Sequence, residues 1–171
     1  MENFKEKLHS ISCFVFDVDG VLTDGSLILL PTEEQARTMN IRDGFAIQHA
    51  VKMGYHVIII SGGKSDAVKT RLNGLGVKEV YLGVDDKTAK LKEVMSVNKI
   101  ELNKVLYMGD DIPDLSPMKL CGIAACPADA APEIKAISIY VSDKKGGEGC
   151  VRDVIEQTLR LQGKWNFPSD F

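Results

Sequence analysis

The sequence predicts an α/β protein, with one parallel β-sheet covered by helices on both faces in a three-layer, Rossmann-like arrangement. Two observations predict it. Short apolar runs alternate with amphipathic stretches along nearly all of the 171 residues, a βαβα rhythm that right-handed crossovers turn into a parallel sheet. Three of the runs, Ile11–Phe16, His56–Ile60 and Lys104–Met108, are almost continuously apolar and rich in β-branched or aromatic residues. Strands buried on both faces read this way, whereas half-exposed strands alternate.

In chain order, strands are expected at Ile11–Phe16, His56–Ile60, Glu79–Leu82, Lys104–Met108, Gly122–Ala125 and Ser138–Val141. Helices are expected at Gly44–Met53, Ser65–Leu75, Lys87–Asn98, Pro113–Leu120, Ala131–Ala136 and Gly149–Gln162. Asp43 is placed to cap the first helix and Gly54 to end it. One segment breaks the rhythm. Within residues 25–42, Leu27–Leu30 and Arg37–Ile41 flank a Pro-Thr-Glu-Glu centre, which predicts a β-hairpin. A two-stranded arm with four consecutive apolar residues is marginal alone in water. It is expected to pack on its own sheet or, preferentially, to act as an oligomerisation arm against another subunit. Residues 163–171, GKWNFPSDF, are expected to form a flexible, aromatic tail.

Apolar content of 44% with 26% charged residues suits one globular domain spanning residues 1–171. A net charge of −3 argues against a nucleic-acid partner. No run approaches the roughly 20 apolar residues of a membrane span, and the opening MENFKEKLHS leads into no long apolar region, so a cytoplasmic location is expected. Cys13, Cys121, Cys126 and Cys150 form no Cys-x-x-Cys pair and read as small buried hydrophobes with reduced thiols.

The chemistry gathers where strands end. The first strand runs into Asp17 and Asp19 within FVFDVDGVLTDG, and the second into Ser61-Gly62-Gly63, a hydroxyl followed by flexible backbone that can meet an anion. The third leads through GVDDK to Lys87, and the fourth into GDDIPD, with Asp110, Asp111 and Asp114. Carboxylates crowded together make a hard-oxygen site for Mg²⁺, which cancels their repulsion and screens a phosphate from an anionic nucleophile. A hydroxyl and a lysine suit the remaining phosphoryl oxygens, so the inventory fits phosphoryl transfer.

DVDGVLTDG, Ser61, Lys87 and GDDIPD resemble, in order and spacing, the four motifs of the haloacid dehalogenase (HAD) superfamily of phosphatases. The resemblance implies Asp17 as a nucleophile that forms an aspartyl-phosphate and Asp19 as the acid, then base. It implies Asp17, the backbone carbonyl of Asp19 and Asp110 as Mg²⁺ ligands. Ser61, Gly62 and Lys87 would bind the phosphoryl group, and Asp111 and Asp114 would stand behind the metal or cap the next helix. Roughly 17 residues separate Asp24 from Arg42 and roughly 25 separate Ser61 from Lys87, leaving no room for a cap domain.

With the hairpin, NIRDG at 40–44 and KGGEG at 145–149, the chain resembles the capless sugar-acid phosphatases, above all the 3-deoxy-D-manno-octulosonate 8-phosphate (KDO 8-phosphate) phosphatase family. That resemblance implies a role in lipopolysaccharide precursor synthesis, and a homotetramer in which neighbouring subunits complete each active site. Arg42, Lys64 and Arg71 are candidates to meet the sugar and its carboxylate. The alternative substrate is a nine-carbon sialic-type acid 9-phosphate. That group tends to carry an acid after the Gly of the Ser/Thr-Gly motif, where this chain has Gly63. A non-catalytic oligomerisation module that kept the fold and lost the chemistry is opposed by the presence of nucleophile, acid, lysine and metal carboxylate together.

Overall fold

The computed structural model describes residues 4–167. The elements run α1 (Phe4–Leu8), β1 (Cys13–Phe16), a hairpin of β2 (Ile28–Leu29) and β3 (Gln35–Ala36), α2 (Ile41–Lys52), β4 (His56–Ile60), α3 (Asp66–Gly74) and β5 (Glu79–Tyr81). They continue through α4 (Lys87–Asn98), β6 (Val105–Met108), α5 (Leu115–Met118), β7 (Ile123–Cys126), α6 (Pro132–Ile137), β8 (Tyr140–Val141) and α7 (Cys150–Leu161). Six strands pair in parallel in the order β5-β4-β1-β6-β7-β8, and β2 and β3 form their own antiparallel pair. From β1 the chain moves out to β4 and β5, then returns to lay β6 on the other side of β1. Ligands of open α/β sheets bind at such a reversal, beyond the strands' carboxyl ends.

The alternating directions of a strand explain the continuous apolarity of β1. Phe14 and Phe16 enter one core with Ala46, Ile47, Leu72, Val154 and Ile155, and Cys13 and Val15 enter the opposite core with Leu91, Val94, Met118 and Ile134. Both faces are therefore dry, and all four β1 residues are fully buried. The four cysteines are free thiols, and no helix among the described residues is long and apolar enough to cross a membrane.

The structure revises several local expectations. The first strand begins at Cys13 because Ile11 N donates back to Leu8 O at 3.3 Å, closing the turn after the short α1, which is too brief for periodicity to reveal. The second hairpin strand lies earlier than Arg37–Ile41: Ile28 pairs with Ala36 and Leu29 with Gln35. Residues 40 and 41 are taken by α2, whose start is capped by Asn40, its side chain accepting from Arg42 N at 2.8 Å. Asp43, expected as that cap, lies inside α2 and is 1% exposed. Its Oδ1 instead accepts from Arg152 N at 2.7 Å, so it caps α7 from a neighbouring helix. Gly54 ends α2 as expected, at φ +85°. The expected helix over Pro113–Leu120 divides into a tight turn, Ile112–Asp114, and α5.

The segment expected as a flexible tail is in part packed. Trp165 is 6% exposed and meets His49 edge-on, and His49 Nε2 lies 2.9 Å from Lys164 O. Residues 168–171, with Phe171, lie outside the described residues.

Candidate active site

Four adjacent strand ends, those of β5, β4, β1 and β6, converge on one cavity of about 470 Å³. Asp17, Asp19, Ser61, Gly62, Lys87, Asp110, Asp111 and Asp114 all line it, together with Asp85 and Gly25. Asp17 follows β1 directly, tethered by its N–H to Met108 O at 3.2 Å. Asp19, two residues on, lines the same cavity as Asp17, and the backbone then turns sharply at Gly20, φ +90°. The Ser61–Gly63 loop is stitched to the loop after β5: Gly83 N donates to Gly63 O and Val84 N to Ser61 O, each at 3.0 Å.

Lys87 is the electrostatic centre. It is 6% exposed, and its Nζ lies 2.8 Å from Asp114 Oδ1 and 3.0 Å from Asp17 Oδ1. Burial alone would lower the Lys87 pKa, but the charges of Asp17 and Asp114 outweigh it and leave the ammonium strengthened. Asp114, 1% exposed, also accepts from the Tyr107 hydroxyl at 2.9 Å and from Asp110 N at 3.3 Å. Its lone pairs are spent on holding Lys87 and the 109–114 loop. Asp111 is exposed and accepts from Ile112 N at 2.8 Å, capping the turn that follows.

The other carboxylates are strained electrostatically. Burial, then the charge of Asp114, pushes Asp17 up to about 6 against the opposing pull of Lys87. Burial, followed by the charges of Asp17, Asp114 and Asp111, pushes Asp110 up to about 8. Oxygens of Asp17, Asp110 and Asp114 lie within 4.8 Å of one another. Asp17 Oδ1 is buried and accepts no hydrogen bond despite its ion pair with Lys87. An all-oxygen cluster that resists ionisation for want of positive charge fits a hard divalent cation. Asp17 and Asp110, with the Asp19 carbonyl, would hold it; Asp114, already committed to Lys87, would stand behind them.

Three predicted sugar-binding residues are not brought here. Arg42 and Arg71 are exposed, and Arg71 lies across Gly44 of α2, its Nη2 2.7 Å from where a Cβ would sit. Lys64 folds over Gly83 and borders a separate cavity beneath the hairpin. Conversely, the sequence reading missed Arg37, which donates from Nε to Asp19 Oδ1 at 2.6 Å. Its place at the start of the expected second hairpin strand gave no sign of it.

The KGGEG loop at residues 145–149 packs beneath the site. Its backbone approaches not a ligand position but the underside of the Asp17–Thr23 loop. Gly147 N donates to Val21 O at 3.0 Å, and a Cβ on Gly146 would fall 2.0 Å from Gly20 O. Asp129 Oδ1 accepts from Gly146 N at 3.0 Å and fixes the loop from the other side.

Comparison with known proteins agrees with this geometry. Residues 79–155 match the haloacid dehalogenase-like hydrolase family. The chain is 34% identical over 158 residues to the 3-deoxy-D-manno-octulosonate 8-phosphate phosphatase KdsC of Salmonella typhi, covering 92% of this chain and 84% of that protein. The phosphatase of the same name from Moraxella catarrhalis, crystallised with magnesium, phosphate and KDO, superposes with a TM-score of 0.91 at 32% identity, covering 94% of this chain and 92% of that one. A cobalt-bound phosphatase from Haemophilus influenzae follows at a TM-score of 0.88 and 32% identity, with 92% of each chain covered. With the Asp17–Lys87–Asp114 cluster on strand ends that superpose on these enzymes, this chain belongs to the haloacid dehalogenase-like hydrolases, in the 3-deoxy-D-manno-octulosonate 8-phosphate phosphatase family.

Proposed function

We propose that this protein is a Mg²⁺-dependent phosphomonoesterase that hydrolyses 3-deoxy-D-manno-octulosonate 8-phosphate to the free sugar acid and inorganic phosphate. The observation that carries the reading is the meeting of Asp17, Asp19, Ser61, Lys87 and Asp110 around one cavity, in a chain with this kinship. Bound magnesium would neutralise the carboxylate pair and the phosphate together, so that an anion can approach an anion.

The residues divide the work. An Asp17 oxygen attacks phosphorus, the bond from phosphorus to the sugar oxygen breaks, and Asp19 gives its proton to that departing oxygen. Water then attacks the aspartyl-phosphate, its proton passes to Asp19, and the Asp17–phosphorus bond breaks. Ester and water have become alcohol and phosphate, with both aspartates restored. The Ser61 hydroxyl, the Gly62 N–H and Lys87 hold the phosphoryl oxygens as charge shifts among them. Lys87 is fixed for this by Asp114, which binds it at 2.8 Å.

Homotetramer formation is part of the proposal. The open cavity has no cap, and Leu27, Ile28, Leu29 and Leu30 are 42%, 54%, 75% and 40% exposed on the hairpin. Burying one such side chain in a neighbour gains about 1.5–3 kcal/mol. We place the enzyme in the cytoplasm, where its free cysteines stay reduced.

A phosphate-release assay across eight-carbon and nine-carbon sugar-acid phosphates and simple sugar phosphates, with Mg²⁺ and with a chelator, tests the reading. Release should require the metal and be fastest with the eight-carbon ester. Preference for a nine-carbon ester would move the substrate, and no release from any ester would overturn the function.

A further inference from the structure

One residue after β3, Arg37 leaves the hairpin for the active site. Its guanidinium takes both carboxylate oxygens of Asp19, Nε donating to Oδ1 at 2.6 Å and Nη2 to Oδ2 at 3.2 Å. Its Nη1 donates back to Gln35 O at 2.9 Å, anchoring the fork to the arm. The side chain is 3% exposed although the hairpin around it is largely open to solvent. Such a forked pair fixes the direction of a carboxylate as well as neutralising it, which a lysine cannot do. The pair also occupies the room beside Gly63, where a Cβ would stand 2.7 Å from Asp19 Oδ2 and 3.1 Å from Arg37 Nη2. Gly63 is not among the glycines with positive φ, so what it supplies is space.

We propose that Arg37 is a positioning residue for the acid–base carboxylate of Asp19, acting from the hairpin, with Gly63 leaving the space in which the pair forms. The proposal rests on the phosphatase reading above. Asp19 sits on a bend followed by Gly20 at φ +90°, so its backbone alone leaves the side chain free to swing. Arg37 removes that freedom. The arm and the proton-transfer chemistry thereby become one mechanical unit, and a displaced hairpin disturbs Asp19 directly.

The test uses p-nitrophenyl phosphate beside the sugar-acid ester. Nitrophenolate leaves without a proton, so the first step with this substrate does not depend on Asp19, whereas hydrolysis of the aspartyl-phosphate still does. Arg37→Gln should keep a rapid burst of about one nitrophenolate per site. Steady turnover should then fall roughly 30- to 100-fold, part of the 10²–10⁴ that a positioned acid–base group supplies, with KM little changed. Turnover of the sugar-acid ester should fall as much without a burst, and Arg37→Lys should lie between Gln and wild type. Gly63→Ala, which keeps the arginine and crowds the pair apart, should reproduce the burst pattern, and the double variant should be no worse than either single one. It also decides the matter if Arg37→Gln does not fold. Wild-type kcat with a raised KM in Arg37→Gln would overturn the proposal, placing the guanidinium on the substrate, as would wild-type behaviour of Gly63→Ala. A wild-type protein that releases nothing from either ester would instead overturn the phosphatase reading.

Discussion

Asp110 occupies the space that a side chain on Gly20 would need: a Cβ there falls 2.0 Å from Asp110 Oδ2 and 2.4 Å from its Cγ. The turn after Asp17 and the carboxylate of Asp110 are thus fitted to each other, and only glycine satisfies both. Gly20→Ala carries two penalties, the left-handed φ of +90° and the collision. It should cost about 1–3 kcal/mol of stability through strain and raise the Mg²⁺ concentration for half-maximal activity sharply. Denaturant unfolding and a magnesium titration of phosphate release measure the two effects. An unchanged magnesium requirement would show that Asp110 has no part in holding the ion.

Lys87 lies between Asp17 and Asp114, and Lys87→Met deletes the cation they share. Breaking a buried pair of this kind costs about 3–5 kcal/mol, because the remaining charge has no partner. Hydrolysis should fall to background and not return with added Mg²⁺, since the ion replaces charge but not the phosphate contact proposed for the ammonium. Urea titration beside the phosphate assay checks both. A variant as stable as wild type would contradict the assigned role of the cluster.

In metal-free protein, Asp17 and Asp110 are raised from 3.8 to about 6 and about 8. The folded chain then keeps protons that the unfolded chain has released, so stability falls as pH rises from about 4 to about 8. Below that window both states are protonated and the contribution is complete; above it the contribution is gone. Magnesium takes the deprotonated carboxylates, so its stabilising effect should grow across the same window. Melting temperatures with Mg²⁺ and with chelator at pH 5, 6.5 and 8 would show this as a widening gap. A gap that narrows with pH would refute the account.

Leu29 is the most exposed of the four hairpin leucines and isoleucines, at 75%. Leu29→Glu should leave the fold intact, since this side chain belongs to neither core, and should convert the proposed homotetramer to smaller species. Light scattering reads the mass directly. A tetramer that survives the substitution would remove the hairpin from the interface.

The sheet was legible because both faces of it are covered. Full burial forces runs such as FVF and VIII, and no other arrangement explains them as economically. The strand-end acids were legible for a related reason: charge placed where an apolar run stops needs a partner, and the partners stood at the other strand ends. What stayed hidden depends on contacts made between distant segments. Asp43 reads locally as the cap of its own helix, yet it serves α7, 109 positions along the chain. Arg37 reads as a hairpin charge until folding brings it to Asp19. Trp165 looks like part of a loose end until α2 offers it His49 and Phe45.

The seating of Gly146 and Gly147 beneath Gly20, Val21 and Thr23 has a consequence for how this enzyme comes into being. Asp17 is translated 130 positions before Gly147, whose backbone supports its loop from below. A nascent chain on the ribosome can pair β1 with β4 and β6 and still lack the floor of its catalytic loop. Activity therefore waits until residue 147 has been made, and a premature stop between residues 115 and 146 leaves the four strand-end motifs present and the site unfinished.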